Sequence, residues 1–355
     1  VFIRDRFPQA SLLGGTSCAG VMTDKGVFND GGIGLLVIDD PDGDFGVAAA
    51  PCGDDPEATA ETLIRQALSA SDCPGELPEL VWVFQAPGHE EKVIAGLRSV
   101  VGDRCPIIGG SSADNEISGA WRQMHTDGVL EDGIVVAVLF PSGGVSYGFQ
   151  GGYEPAGQTG IVTAVAADAH GRENTSGRRI LAIDGRPAAE VYNNWIGGGL
   201  SDRIGTGGSV LIDTTMAPLG VEIGRIRDVP QYRLIHPESI SPDGALNTFA
   251  AVAKGERLHD MRGERAQLVK RAGRMATQAA TGLQNGPAAL AGGLVVYCAG
   301  CKMAIDDQVS EMVGFVSQSL AGTPFLGCFT FGEQGCMAGQ NVHGNLMIST
   351  VAFGQ

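Results

Sequence analysis

The sequence predicts an α/β protein of mixed sheets covered by helices, built from repeated strand–helix–strand–turn–strand units with an inserted strand meander. Two stretches, 80–140 and 293–353, run through the same succession of apolar strand-like runs and helical stripes. The opening residues read as the latter half of a further copy. Glycine supplies 54 of the 355 residues, about twice its usual share, so sharp turns and close backbone approaches are expected throughout.

The elements follow in order. "ASLLGGTSCAG" (10–20) is a short strand entering a turn, and "GGIGLLVID" is the strand that closes the partial copy. The abrupt start, "VFIRDRFPQASLLGG", reads as a chain whose first strand and helix lie upstream. In the first full unit "LVWVFQAPG" (80–88) is a strand rich in valine and aromatics. Val93, Ile94, Leu97, Val100 and Val101 then share one helical face, with His89, Glu90 and Glu91 as its cap. "CPIIGGSSADN" (105–115) is the second strand and its polar turn, and "GIVVAVLF" (133–140) closes the unit. The C-terminal unit repeats this. "LVVYCAG" is its first strand, and Val309, Met312, Val313, Val316 and Leu320 mark a helix starting near Asp306 or Asp307. "TPFLGCFTFGE" is the second strand, and "GNLMISTVAF" closes. Each helical stripe needs a sheet face to bury it. The turns after "LLGG", "IIGG" and "FLGC" then fall at strand ends, where open α/β sheets bind ligands.

Between the units "RRILAIDGRPAAEVYNNWIGG" reads as a hairpin leading into a helix that carries Trp195. A strand meander follows, then a long helix with Leu268, Val269, Ala272, Met275, Ala276 and Ala279 inward. A boundary near 150–158, at "GGYEPAGQTG", divides the chain into halves 1–154 and 155–355.

Composition narrows the function. A net charge of -16 and a pI near 4.7 argue against nucleic acid, whose phosphates call for lysine and arginine. The longest apolar runs are too short to cross a bilayer. Eight cysteines are too sparse for a small secreted disulfide framework, and the expected setting is the cytoplasm with thiols reduced.

Several motifs resemble the FIST (F-box and intracellular signal transduction) family of sensory domains. "LLGGTSCAG" and "IIGGSSADN" are similar to its N-terminal half. "ILAIDGRPAAEVY", "PLG", "CAGC", "TPFLGCFTFGEQG" and "HGNLMIS" are similar to its C-terminal half, in the right order. The resemblance implies small-ligand sensing that feeds a signalling enzyme. It further implies amino acids as candidate ligands. Some stand-alone bacterial members are haem-based nitric-oxide sensors that regulate histidine kinases.

The residues themselves offer several chemistries. Cys298, Cys301, Cys328 and Cys336 would make a four-thiolate zinc site, although seven residues separate the second pair. "CAGC" as a redox pair needs a helix opening at Cys298, and the helix is expected later. Cys298 with His343 as base would give a cysteine hydrolase. Haem needs an axial ligand among His89, His125, His170, His236, His259 and His343, and "HGN" gives His343 the best context. The favoured reading is a pocket for a small ligand. Glu333 and Gln334 of "FGEQG" would sit with His343, Asn345, Cys298 and Cys301, joined by Asp114, Asn115 and Trp121 from the equivalent turn. Glu333 and His343 are expected to line one shared cavity across a short glycine-rich link.

Overall fold

The computed structural model describes residues 5–8, 10–29, 31–166 and 177–355. His170 lies outside the described residues. The first part contains β1 (Leu13–Gly15), the hairpin β2 (Val21–Thr23) and β3 (Gly26–Phe28), then β4 (Asp44–Pro51). Helix α1 (Pro56–Ala70) starts on an Asp55 cap that accepts from the Ala58 amide, with Pro56 in the first turn where no donor is needed.

The first full unit is β5 (Leu80–Gln85), α2 (Glu90–Val101), β6 (Ile107–Ser111), the hairpin β7 (Gln123–His125) and β8 (Gly128–Leu130), and β9 (Gly133–Phe140). Val93, Ile94, Leu97 and Val101 are the buried stripe of α2, and Gly102 ends the helix at a φ of 69°. β10 (Val145–Gly151) leads out of the unit.

The insert begins with the long strand β11 (Tyr153–Val165). The expected hairpin and helix follow as β12 (Arg179–Ile183), β13 (Arg186–Pro187) and α3 (Ala188–Trp195). Next come β14 (Gly208–Ser209), the short α4 (Leu211–Thr214), and the meander β15 (Leu219–Ile226), β16 (Val229–Ile235), β17 (Pro237–Ile240), β18 (Leu246–Thr248) and β19 (Arg257–Gly263). These strands form one nine-stranded sheet around a core that includes Tyr192, Leu219 and Leu258. Helix α5 (Arg265–Gly282) buries the expected face, Leu268 through Ala279.

The second unit comprises β20 (Leu290–Cys298), α6 (Ala299–Ala304), α7 (Val309–Ser319), β21 (Phe325–Thr330), the hairpin β22 (Glu333–Met337) and β23 (Gln340–Gly344), and β24 (Met347–Gly354). The two units share one strand order. β5 runs parallel to β6 and antiparallel to β9, as β20 runs parallel to β21 and antiparallel to β24.

The post-turn segment of each unit is itself a hairpin, and the hairpins are exchanged. The hairpin after β1 adds to β21, the one after β6 adds to β1, and the one after β21 adds to β6. The registers correspond: Val21 faces Cys328, Gln123 faces Gly15 and Glu333 faces Gly110. Backbone bonds continue the ring beyond the strands, from Thr16 to Arg122, from Ser111 to Gly332 and from Cys18 to Phe329. The three glycine-rich turns thus meet at one place.

Two six-stranded sheets result, ordered β23-β22-β6-β5-β9-β4 and β10-β24-β20-β21-β2-β3. Their facing sides share a core of Trp82, Phe84, Ile108, Leu139, Val296 and Phe353. Helices α1 and α2 cover one outer face, and α5 and α7 cover the other. The result is four layers, helix–sheet–sheet–helix.

One expectation fails. "GGIGLLVID" forms no strand, and Ile33, Leu35 and Val37 are 92%, 51% and 59% exposed. Among the described residues no neighbouring strand pairs with this stretch, so nothing satisfies its backbone as a ladder would.

Candidate functional site

The densest polar cluster lies at the carboxyl ends of β5 and β6, where α2 begins. Glu90 and Glu91 are the first two residues of that helix, where its dipole favours negative charge. Glu90 is buried, and its Oε1 accepts from the Ser111 hydroxyl at 2.6 Å and its Oε2 from Arg178 Nη2 at 2.5 Å. The Gly88 amide donates to both oxygens. Glu91 lies 2.8 Å from His343 Nδ1, accepts from the Ala251 amide at 2.8 Å, and takes a second bond from Arg178 at 2.7 Å.

Burial works to raise both acids. For Glu90 the Arg178 guanidinium and the His343 ring together outweigh it, and for Glu91 the His343 ring and Arg178 do, so Glu90 is held below and Glu91 well below the usual carboxylate range. Arg178 is half-buried, which lowers its pKa, but the two carboxylates lift it above the ordinary guanidinium range. Both glutamates are therefore ionised, and Arg178 pairs with each.

Two members of the cluster, Glu91 and His343, floor a cavity of about 430 Å³. One wall is α2, with Ile94 and Arg98, and the other is Arg233 with the 251–256 loop. Arg233 pairs with Glu256 at 3.1 Å. Asn341 and His343 on β23 complete the floor. Asn341 pins that strand by accepting from the Ile107 amide and donating to the Cys105 carbonyl, each at 2.8 Å.

The predicted residues divide. Gln334 and His343 are a cross-strand pair and face this cluster, with the Gln334 amide 3.5 Å from Ser111 Oγ. Glu333 is one residue away and so projects to the other face of the hairpin. It accepts from the Thr330 hydroxyl at 2.7 Å and the Met347 amide at 3.1 Å, beside Cys298. The expected shared cavity of Glu333 and His343 is not formed. Burial first, then Cys298, pushes the Glu333 carboxyl well above its usual range.

Asp114 folds its own turn, accepting from the amides of Glu116, Ser118 and Ala120, and Asn115 accepts from the Ala19 amide. Trp121 packs edge-on to Phe331, with ring centroids 6.2 Å apart. Asn345 accepts from the His236 amide. These residues hold the ring of turns together rather than line the cavity.

The thiol readings change as well. α6 begins directly after Cys298, earlier than the sequence predicts, so "CAGC" does open a helix. Burial nevertheless pushes the Cys298 thiol well above its usual range, the reverse of an activated redox cysteine. The four candidate zinc thiols do not converge. Cys328 faces the core between the sheets, while Cys336 lies beside Tyr147 and Cys105. His343 is engaged with Glu91, not Cys298, which removes the proposed nucleophile–base pair. Haem is not favoured either, since His343 stands on a charged floor, and His236 is bonded to Leu211 and Thr215.

Sequence reasoning missed Glu90, Glu91, Ser111, Arg178 and Arg233. The sequence signal is "HEE", an acidic pair directly after a buried strand, a pattern that a helix cap explains equally well. Arg178 sits 87 residues away from Glu91, and its role exists only in the fold.

The FIST N domain family model matches residues 2–186 and the FIST C domain model residues 188–336. The chain belongs to the FIST family. It is thereby a sensory domain of signal transduction that binds a small ligand. The cavity is walled by both parts of this FIST protein, with α2 in the first and Arg233 and the 251–256 loop in the second. No curated protein matches the chain. Among solved structures, PurLQS and phosphoribosylformylglycinamidine synthase II, both from Thermotoga maritima, are similar at 9% identity and a TM-score of 0.24. Each likeness covers 95% of this chain and 74% of theirs and is too slight to carry an argument. Among the described residues no helix is long and apolar enough to cross a membrane.

Proposed function

We propose that the cavity above Glu91 and His343 is the ligand site of a cytoplasmic sensor, and that its ligand is a small zwitterion of the amino-acid class. The observation that carries this is the placement of an ionised carboxylate on the floor with Arg98 and Arg233 on opposite walls. Glu91 can accept one more donor, a ligand ammonium, while a guanidinium across the cavity attracts a carboxylate. Ile94, Val165 and Val252 supply apolar wall for a side chain. A ligand held between α2 and the 251–256 loop bridges two parts of the protein, so its arrival tightens their contact. That tightening is the signal a partner enzyme, such as a histidine kinase, can read. The unpaired state of all eight cysteines fits a reducing compartment.

Calorimetric titration with the common amino acids tests the reading. We expect saturable binding of one subset, weakened at least tenfold by Arg233→Gln and by Glu91→Gln. A panel that shows no binding, or binding indifferent to both changes, overturns it.

A further inference from the structure

Beneath the cavity floor, one face of the first six-stranded sheet carries a polar row across four adjacent strands. Gln85 on β5 is in register with Ser111 on β6, and Gln334 on β22 with His343 on β23. The Ser111 amide donates to the Gly332 carbonyl, which links the two pairs. All four side chains are buried.

Four of their polar atoms have no hydrogen-bond partner: Oε1 and Nε2 of Gln85, Oε1 of Gln334 and Nε2 of His343. A buried polar atom left unpaired costs about 1–3 kcal/mol, so four on one face point to an occupant. Gly332 shows where His343 points. A Cβ there would stand 2.6 Å from His343 Nε2 and 3.2 Å from Ser111 Oγ. The free ring nitrogen therefore lies close to Ser111, which is bonded to Glu90 Oε1.

We propose that this row is a divalent-cation site. Glu90 Oε1 and His343 Nε2 are the principal ligands, and the amide oxygens of Gln334 and Gln85 complete the set. Glu91 is the outer carboxylate that holds His343 Nδ1, an arrangement that orients metal-binding imidazoles and raises their basicity. One carboxylate oxygen each of Glu90 and Glu91 and one ring nitrogen of His343 lie within 4.8 Å of one another, and among the described residues no other such group occurs. Arg178 engages Oε2 of both glutamates and leaves Oε1 of Glu90 turned to the row. Nitrogen and oxygen donors without thiolate suit zinc or manganese rather than a soft ion. The site shares His343 and Glu91 with the amino-acid cavity but takes its cation on the other ring nitrogen, and its test uses metal alone.

The experiment is titration of the chelator-treated full chain with zinc chloride or manganese chloride, with cobalt as a spectroscopic reporter. We expect one equivalent bound and a visible cobalt band for nitrogen and oxygen ligation. Gln334→Leu and Gln85→Leu, which stay folded because they bury no new polar atom, should each weaken binding at least tenfold, and His343→Gln should abolish the cobalt band. Absence of saturable binding in the unaltered protein overturns the proposal. So does binding that persists in both Gln334→Leu and His343→Gln, which would place the metal elsewhere. If methylammonium binds to the row and divalent metals do not, the occupant is an ammonium and the proposal fails.

Discussion

At the carboxyl ends of β5 and β6 stand Gln85, Ser111, Glu90 and Glu91; at the corresponding ends of β20 and β21 stand Cys298, Thr330, Cys301 and Lys302. The strand orders are the same, and so are the exchanged hairpins. The first end is ionised, because the insert sends Arg178 and the Ala251 amide onto its carboxylates. The second receives no such counter-charge. There Glu333 is pushed toward its neutral form, the Cys298 thiol is pushed up, and Lys302 rests over the Phe329 ring at 5.3 Å. Equivalent topology thus fixes where a site can be, and the neighbouring segment decides whether charge survives burial there.

The largest break in that comparison should come from Arg178→Ala. Buried Glu90 and half-buried Glu91 would lose their shared partner, and denaturant titration should show a loss of about 3 kcal/mol. Lys302→Met at the other end should cost far less, since its nearest carboxylate, Asp306, is exposed and 3.9 Å away.

Acid should also separate the ends. His236, beside Gly300 of the second end, is buried, and that burial brings its pKa down to about 4 although the Leu211 carbonyl favours the charged ring. The unfolded chain takes up a proton near pH 6.5 that the native state refuses. Stability is therefore lost as pH falls from about 6.5 to about 4, by up to about 3 kcal/mol. Melting curves of His236→Gln should lack that slope.

The equivalent glycines Gly109 and Gly327 sharpen the comparison at smaller scale. A Cβ at Gly109 would lie 1.8 Å from the Val83 carbonyl oxygen, which cannot move aside, whereas at Gly327 it meets Met22 Cγ at 2.6 Å. Methionine can adapt. Gly109→Ala should cost about 3 kcal/mol and Gly327→Ala about 1 kcal/mol by chemical denaturation. Equal losses would mean that the two strand pairs are not packed alike.

At low pH, where the carboxyl is protonated in both folded and unfolded states, the smallest effect is expected of Glu333→Gln. The native carboxyl is held above its unfolded pKa, so it favours folding at low pH and this contribution fades as pH rises past about 4.3. The variant should gain stability relative to the parent between pH 4 and pH 8. A constant difference across that range would show that Glu333 is not held neutral.

Much of the fold was legible because helical stripes and apolar runs are local. The inward faces of α2, α5 and α7 are the ones read from periodicity. "GIVVAVLF" is a buried strand because both faces are covered. The "GGIGLLVID" run carries the same local pattern but no partner, and pattern alone cannot supply one. Within the site, His343 and Gln334 were visible in glycine-flanked motifs. Chain proximity alone suggests that Glu333 and His343 converge, and strand alternation sends them to opposite faces of the hairpin. Arg178 left no sequence trace.

The exchange of hairpins has a consequence for how the chain can be made and divided. The Ile107 amide finds its acceptor on a residue 234 positions away, so the first sheet is incomplete until almost the last segment has been synthesised. Such distant pairing slows folding and leaves β6 with an open edge in the interim. A gene fragment that ends between the two parts should yield an aggregation-prone polypeptide, and the missing piece supplied separately should rescue it by strand complementation.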